Sequence, residues 1–115
     1  MAGTTERQQD ADELLLAGRT LRSRLLLGTG GFSSLELMSE AIRVSSSEVV
    51  TVALRRVNAP GAEAPGGSLL QELEKAGVAL LPNTAGCHTA RDAVLTAKLA
   101  REAFATDWIK LEVIG

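Results

Sequence analysis

Short apolar runs alternate with amphipathic windows along this chain, and that alternation restricts the fold more than any single residue does. Leu14 to Ala17, a Gly18-Arg19 turn and Leu21 to Leu27 predict a short hairpin feeding a first main strand, which Gly28-Thr29-Gly30-Gly31 ends. Ser33 and Ser34 suit the N-cap of a helix reaching about Val44, with Glu36 early and Leu35, Met38, Ala41 and Ile42 at helical spacing. Val49 to Leu54 reads as a second strand. A turn-rich loop from Asn58 to Gly67 follows, then a short helix from Ser68 through Lys75 that Gly77 stops. Val78 to Leu81 reads as a third strand, ended by Pro82-Asn83. Thr89 caps a helix over Ala90 to Phe104, with Val94, Ala97, Leu99 and Ala100 on its inner side, and Trp108 to Ile114 reads as a fourth strand. The order β-α-β-α-β-α-β implies an α/β fold of parallel strands joined by right-handed crossovers.

Composition excludes several classes of function. At 115 residues the chain holds one domain at most, and 45% hydrophobic with 23% charged residues is ordinary globular usage. A net charge of -2, with no basic patch carrying interleaved aromatics, gives no footprint for nucleic acid or a membrane. The single cysteine, Cys87, cannot form an internal disulfide, which fits a reducing cytoplasm. Residues 1–13 are polar, lack an apolar signal-peptide core and read as a disordered leader ahead of one unit over 14–115.

The last apolar run carries the most chemistry. Side chains alternate along a strand, so Trp108, Lys110, Glu112 and Ile114 share one face while Ile109, Leu111 and Val113 share the other. A solvated edge strand alternates in the same way. In an α/β layer covered on both faces, however, an amine and a carboxylate side by side mark a task. A lysine attacks a ketone only as the neutral amine, and its free pKa of ~10.4 keeps it charged at neutral pH. Burial lowers that pKa, and a charged Glu112 alongside raises it. Where desolvation wins, Lys110 is a nucleophile and Glu112 can shuttle protons; where the ion pair wins, both are structural. Inward ion pairs seldom stabilise a core better than apolar residues do, which favours the catalytic role.

Other segments are open to more than one reading. Gly28-Thr29-Gly30-Gly31, after a strand and before a helix, fits a pyrophosphate held by backbone N–H groups, or a plain tight turn. Ser33 stands where a dinucleotide fingerprint has its third glycine, and Arg55-Arg56 follows the second strand where an acid is usual, although an arginine there suits a 2′-phosphate. Arg55 and Arg56 also fit an anionic substrate, a subunit contact or a solvated pair. Asn83 and Thr84, at the C-terminal end of the third strand, are candidate substrate-binding residues or an ordinary polar turn, with Gly86 letting the backbone reverse. Cys87 and His88 are adjacent, which is poor geometry for a nucleophile and its base, and no ligand cluster points to a metal.

Four of these segments, Ser23 to Ser34 (SRLLLGTGGFSS), Thr51 to Arg56 (TVALRR), Leu80 to Ala90 (LLPNTAGCHTA) and Asp107 to Gly115 (DWIKLEVIG), stand in the order and spacing of bacterial thiazole synthase. From about Leu14 onward the chain resembles that family. The resemblance implies a (β/α)8 TIM barrel, and since a closed barrel needs roughly 250 residues, it implies the first half of one, truncated after the fourth strand. It also implies that Lys110 forms a Schiff base with 1-deoxy-D-xylulose 5-phosphate and that Glu112 is the acid/base group. The product is the thiazole phosphate moiety of thiamine, made with a glycine-derived imine and sulfur from a thiocarboxylated sulfur-carrier protein. A cytoplasmic homo-oligomer without cofactor or metal is implied as well. The family's second acidic residue and phosphate cradle lie in later strands, so this stretch alone is expected to be inactive. Two other readings compete: an NADP-binding half-Rossmann module, which needs a cofactor at Gly28 to Gly31, and a noncatalytic interaction domain on a barrel scaffold, which tolerates loss of Lys110.

Overall fold

A computed structural model describes residues 13–54 and 63–114, without the side chains of 63–68. The leader expected over 1–13, apart from Glu13, and Arg55, Arg56 and the start of the 58–67 loop therefore lie outside the described residues. Leu14–Leu16 (β1) and Arg19–Leu21 (β2) form an antiparallel hairpin. Ala17 and Gly18, with φ of 50° and 79°, make its turn, the positive pair whose twist matches that of the flanking strands. The turn thus sits one residue earlier than expected, and Arg19 belongs to β2.

The main sheet holds Leu26–Gly28 (β3), Val49–Ala53 (β4) and Ala79–Asn83 (β5), all parallel, in the order β3-β4-β5. Three helices connect or follow them: Leu35–Ser45 (α1), Glu63–Ala76 (α2) and Ala90–Phe104 (α3). Ser34 caps α1 as expected, its Oγ accepting the Leu37 N–H at 3.1 Å, and Thr89 caps α3 by accepting the Asp92 N–H at 3.0 Å. Met38, Ile42, Val50, Val52 and Leu73 are buried together, with Phe104 packed against them, so the helices cover one face of the sheet. The hairpin covers the start of the other face, where Leu21, Val49 and Leu81 are buried against Leu14, Leu16 and Trp108.

Four expectations shift. α2 begins at Glu63 rather than Ser68, taking in Pro65, Gly66 and Gly67; a proline is tolerated there because the first-turn N–H groups have no intrahelical partners. β5 continues through Pro82 and Asn83 instead of ending before them. The Pro82 carbonyl accepts from Lys110, on the side away from β4, so its missing N–H costs the β4–β5 ladder nothing. On α3 the buried residues are Ala93 and Ala100, whereas Val94 and Leu99 are half-exposed, because small side chains let the helix lie close against β5. The fourth strand is reduced to one parallel bridge, Asn83 to Lys110. Among the described residues, 108–114 have β5 on one side only, and the chain beyond β5 turns away after Thr84, where Gly86 takes φ of 89°.

Candidate active site

Register decides which side chains meet. Ala53 pairs with Asn83, and Asn83 bridges to Lys110, so these three share the face that the helices do not cover. Trp108, two residues earlier, packs on the same face beside Leu21, Val49 and Leu81, with the Arg19 guanidinium 5.9 Å from its ring centroid. Ile109 and Leu111 line a cleft of about 230 Å³ with Val94, Ala97 and Lys98 of α3 on the opposite side. The alternation read from residues 108–111 is therefore real, although no continuous ladder supports it.

Lys110 and Glu112 are both exposed rather than enclosed in a layer, and among the described residues no ion pair joins them. The backbone beneath them is held tightly. The Lys110 N–H donates to the Pro82 carbonyl at 2.8 Å, and its own carbonyl accepts from the Thr84 N–H at 3.2 Å. Two residues on, the Thr84 hydroxyl takes over: its Oγ1 accepts the Glu112 N–H at 2.8 Å and donates to the Glu112 carbonyl at 2.7 Å. The Ile114 N–H then donates to the Cys87 carbonyl at 2.8 Å. Thr84 is fully buried. Asn83 is half-buried, and its Oδ1 accepts the Ala85 N–H at 3.1 Å, closing a local turn at the strand end.

Other sequence-flagged residues fall elsewhere. Thr29 is buried and its hydroxyl donates to the Thr51 carbonyl at 2.8 Å, tying the Gly28 to Gly31 turn to β4. The Ser34 side chain caps the first turn of α1, which takes up one N–H that a pyrophosphate would use. Cys87 Sγ lies 3.3 Å from Thr96 Oγ1, and His88 is exposed at the start of α3. Among the described residues, no group of three or more His, Cys, Asp or Glu could hold a metal ion, and no helix is long and apolar enough to cross a membrane.

Sequence reasoning missed Glu48. Its carboxylate accepts the backbone N–H groups of Arg22 and Ser23, while the Ser23 Oγ accepts the Glu48 N–H at 2.9 Å. The Ser23 amide foremost holds this carboxyl below the usual range, helped by the Arg22 amide and opposed by desolvation. Nothing in the local pattern identifies this pairing, since the partners are 25 and 26 residues apart.

The order of the sheet distinguishes between architectures. In a doubly wound sheet of the dinucleotide-binding kind, the fourth strand returns to the far side of the first; here the fourth segment lies against β5 and extends the walk in one direction. An α/β protein with this strand order, whose Lys110 lies in register with Asn83 on the helix-free face at the C-terminal end of the sheet, has an architecture in which reactive groups sit at strand ends. The family model of thiazole biosynthesis protein ThiG matches residues 15–115, and the chain belongs to that family. It is 56% identical over 104 residues to a thiazole synthase of Methylobacterium sp. (strain 4-46), covering 90% of this chain and 37% of the relative. It is 54% identical over 102 residues to that of Rhizobium rhizogenes, covering 89% of this chain and 39% of the relative. The chain thus spans less than two fifths of the length of these curated relatives.

Proposed function

We propose that this chain contributes the amine and one acid/base group to thiazole synthesis for thiamine, within a (β/α)8 barrel. The observation that carries the reading is the register: Lys110 lies in line with Asn83 at the C-terminal end of the sheet, on the helix-free face, with Glu112 two residues on. The Lys110 Nζ, as neutral amine, adds to the ketone carbon of 1-deoxy-D-xylulose 5-phosphate. The carbinolamine then loses its hydroxyl as water to give the imine, and Glu112 supplies and recovers the protons of these steps and of the enolisation that follows. Asn83, in register with Lys110, serves as a substrate-binding group, whereas Thr84, expected to do the same, is buried with its hydroxyl bonded to the Glu112 backbone. A glycine-derived imine and a thiocarboxylated sulfur-carrier protein complete the reading, in a homo-oligomeric cytoplasmic enzyme.

Borohydride reduction with the keto-sugar phosphate tests it, in a chimera where this chain replaces the matching stretch of the Methylobacterium enzyme. Substrate mass should attach to the peptide containing Lys110 and leave those of Lys75 and Lys98 unmodified. Lys110→Arg should abolish trapping, because a guanidinium stays charged and forms no imine. Glu112→Gln should still trap substrate while turnover slows by roughly 10²- to 10⁴-fold, the usual range for a general acid/base. Trapping that persists in Lys110→Ala would refute the assignment.

A further inference from the structure

We propose that Thr84 is a positioning residue: its hydroxyl replaces the ladder bonds that β5 no longer offers and so fixes the backbone that presents Lys110 and Glu112. In a regular parallel ladder the Glu112 N–H would donate to the Thr84 carbonyl, and the Glu112 carbonyl would accept from the N–H of residue 86. Neither is available in that form. The Thr84 carbonyl accepts the Cys87 N–H at 3.3 Å, and the chain has already reversed at Gly86 with φ of 89°.

One hydroxyl fills both vacancies. A backbone N–H can only donate and a carbonyl can only accept, so the 2.8 Å and 2.7 Å contacts fix the hydroxyl as acceptor from the Glu112 N–H and donor to the Glu112 carbonyl. Thr84 is fully buried, so its hydroxyl is shielded from water that would compete for these two hydrogen bonds, although Glu112 itself is exposed. The Thr84 N–H meanwhile holds the Lys110 carbonyl, and the same residue therefore grips the segment on both sides of Leu111. Lys110 and Glu112 themselves are exposed, so the direction of their side chains depends on this backbone hold rather than on packing. Thr84 acts through that hold instead of by touching substrate. The functional part of this inference rests on the reading of Lys110 and Glu112 above.

The experiment uses the 115-residue chain with two variants, Thr84→Val, which keeps the shape and loses the hydroxyl, and Thr84→Ser, which keeps the hydroxyl. Amide hydrogen exchange at Glu112 is read first, with the Val50 and Val52 amides of the central strand as reporters that the sheet is intact. In Thr84→Val the Glu112 amide should exchange roughly tenfold faster, the scale of one lost hydrogen bond, while Val50 and Val52 are unchanged; Thr84→Ser should restore protection. The second readout, taken in the chimera with the Methylobacterium enzyme, is the rate of reductive modification of Lys110 relative to Lys75 by the keto-sugar phosphate with cyanoborohydride. That ratio should fall in Thr84→Val and return in Thr84→Ser.

Unchanged Glu112 exchange in a folded Thr84→Val overturns the proposal. So does lost Glu112 protection in a folded Thr84→Ser, which decides the matter if the valine variant does not fold. Lost protection with an unaltered Lys110 ratio overturns the positioning role while leaving the clamp. A chimera with wild-type Thr84 in which Lys110 is no more reactive than Lys75 instead counts against the proposed catalytic lysine, with the exchange readout still deciding the clamp.

Discussion

β4 and residues 108–114 carry the same kind of sequence signal and meet different fates. Both are largely apolar runs rich in β-branched residues, yet β4 is paired on both sides with Val49 to Val52 buried, whereas 108–114 keeps one bridge and leaves Leu111, Val113 and Ile114 exposed. The difference lies in the neighbours rather than in the segment. A strand is a relation between chains, and a pattern of period two describes only one party to it. Where neighbours are missing on one side, side-chain hydroxyls and loop carbonyls do the holding, and polar residues stay in solvent where they can react.

Truncation is the most forceful way to break that comparison. Met38 is 1% exposed beneath β4, so Met38→Ala should cost about 2–5 kcal/mol from lost burial and a residual cavity. Leu111 is 65% exposed, so Leu111→Ala should change stability by no more than about 0.5 kcal/mol. Urea unfolding of the two variants measures both. Equal losses would mean that 108–114 is as firmly packed as the central strand, and the contrast would fail.

The contrast also explains what was legible in the sequence. The α1 and α3 caps, the buried Met38 and Ile42 and the parallel order follow from short-range signals: a capping serine or threonine, a helical period, a glycine stop. Lys110 and Glu112 stand out in the sequence because two charges interrupt an apolar run, although both side chains lie exposed rather than inside a layer. The Thr84 and Glu48 clamps were not legible, since each joins residues more than 20 positions apart through side-chain to backbone bonds that leave no periodic trace. The fourth strand was over-read for the same reason, because its pattern could not reveal how early β5 turns away. Val94 and Leu99 were misplaced on α3 because periodicity marks an apolar stripe without saying which part of it meets the sheet.

A gentler test compares the two clamps by pH. Thr84 does not titrate in the accessible range, but the Glu48 carboxyl is held below its ordinary value of 4.5 by the Ser23 and Arg22 amides. A lowered folded-state pKa means that its stabilisation is complete above about 4.5 and is lost as pH falls through the lower folded value. Glu40, lowered chiefly by its hydrogen bond from Arg43, acts in the same direction, so the informative quantity is the difference between wild type and Glu48→Gln. Glu48→Gln should be less stable near neutrality, and the gap should close on acidification below about 4.5. Thermal unfolding across that range measures it, and a gap independent of pH would mean that the carboxylate charge contributes nothing to the hold at the start of β4.

The smallest expected effect lies where α3 hands the chain to the loosely held segment. Ala105 ends the helix in the left-handed region, φ 50° and ψ 47°, where an L side chain crowds the backbone at a cost of roughly 1–2 kcal/mol. Glycine adopts that conformation freely and is the usual residue at this position, but it also gives the unfolded chain more freedom, which cancels part of the gain. Ala105→Gly should therefore raise stability by no more than about 1 kcal/mol, seen as a higher urea midpoint at unchanged slope. Because the change acts at the helix end and not on the hydrogen bonds beyond it, the exchange rate of the Glu112 amide should stay as it is, even where the Val50 amide slows with the added stability. If that rate also fell, residues 108–114 would owe their order to how the chain leaves α3 rather than to the Thr84 hydroxyl, and the distinction between a strand held by its ladder and a segment held by one side chain would have to be redrawn.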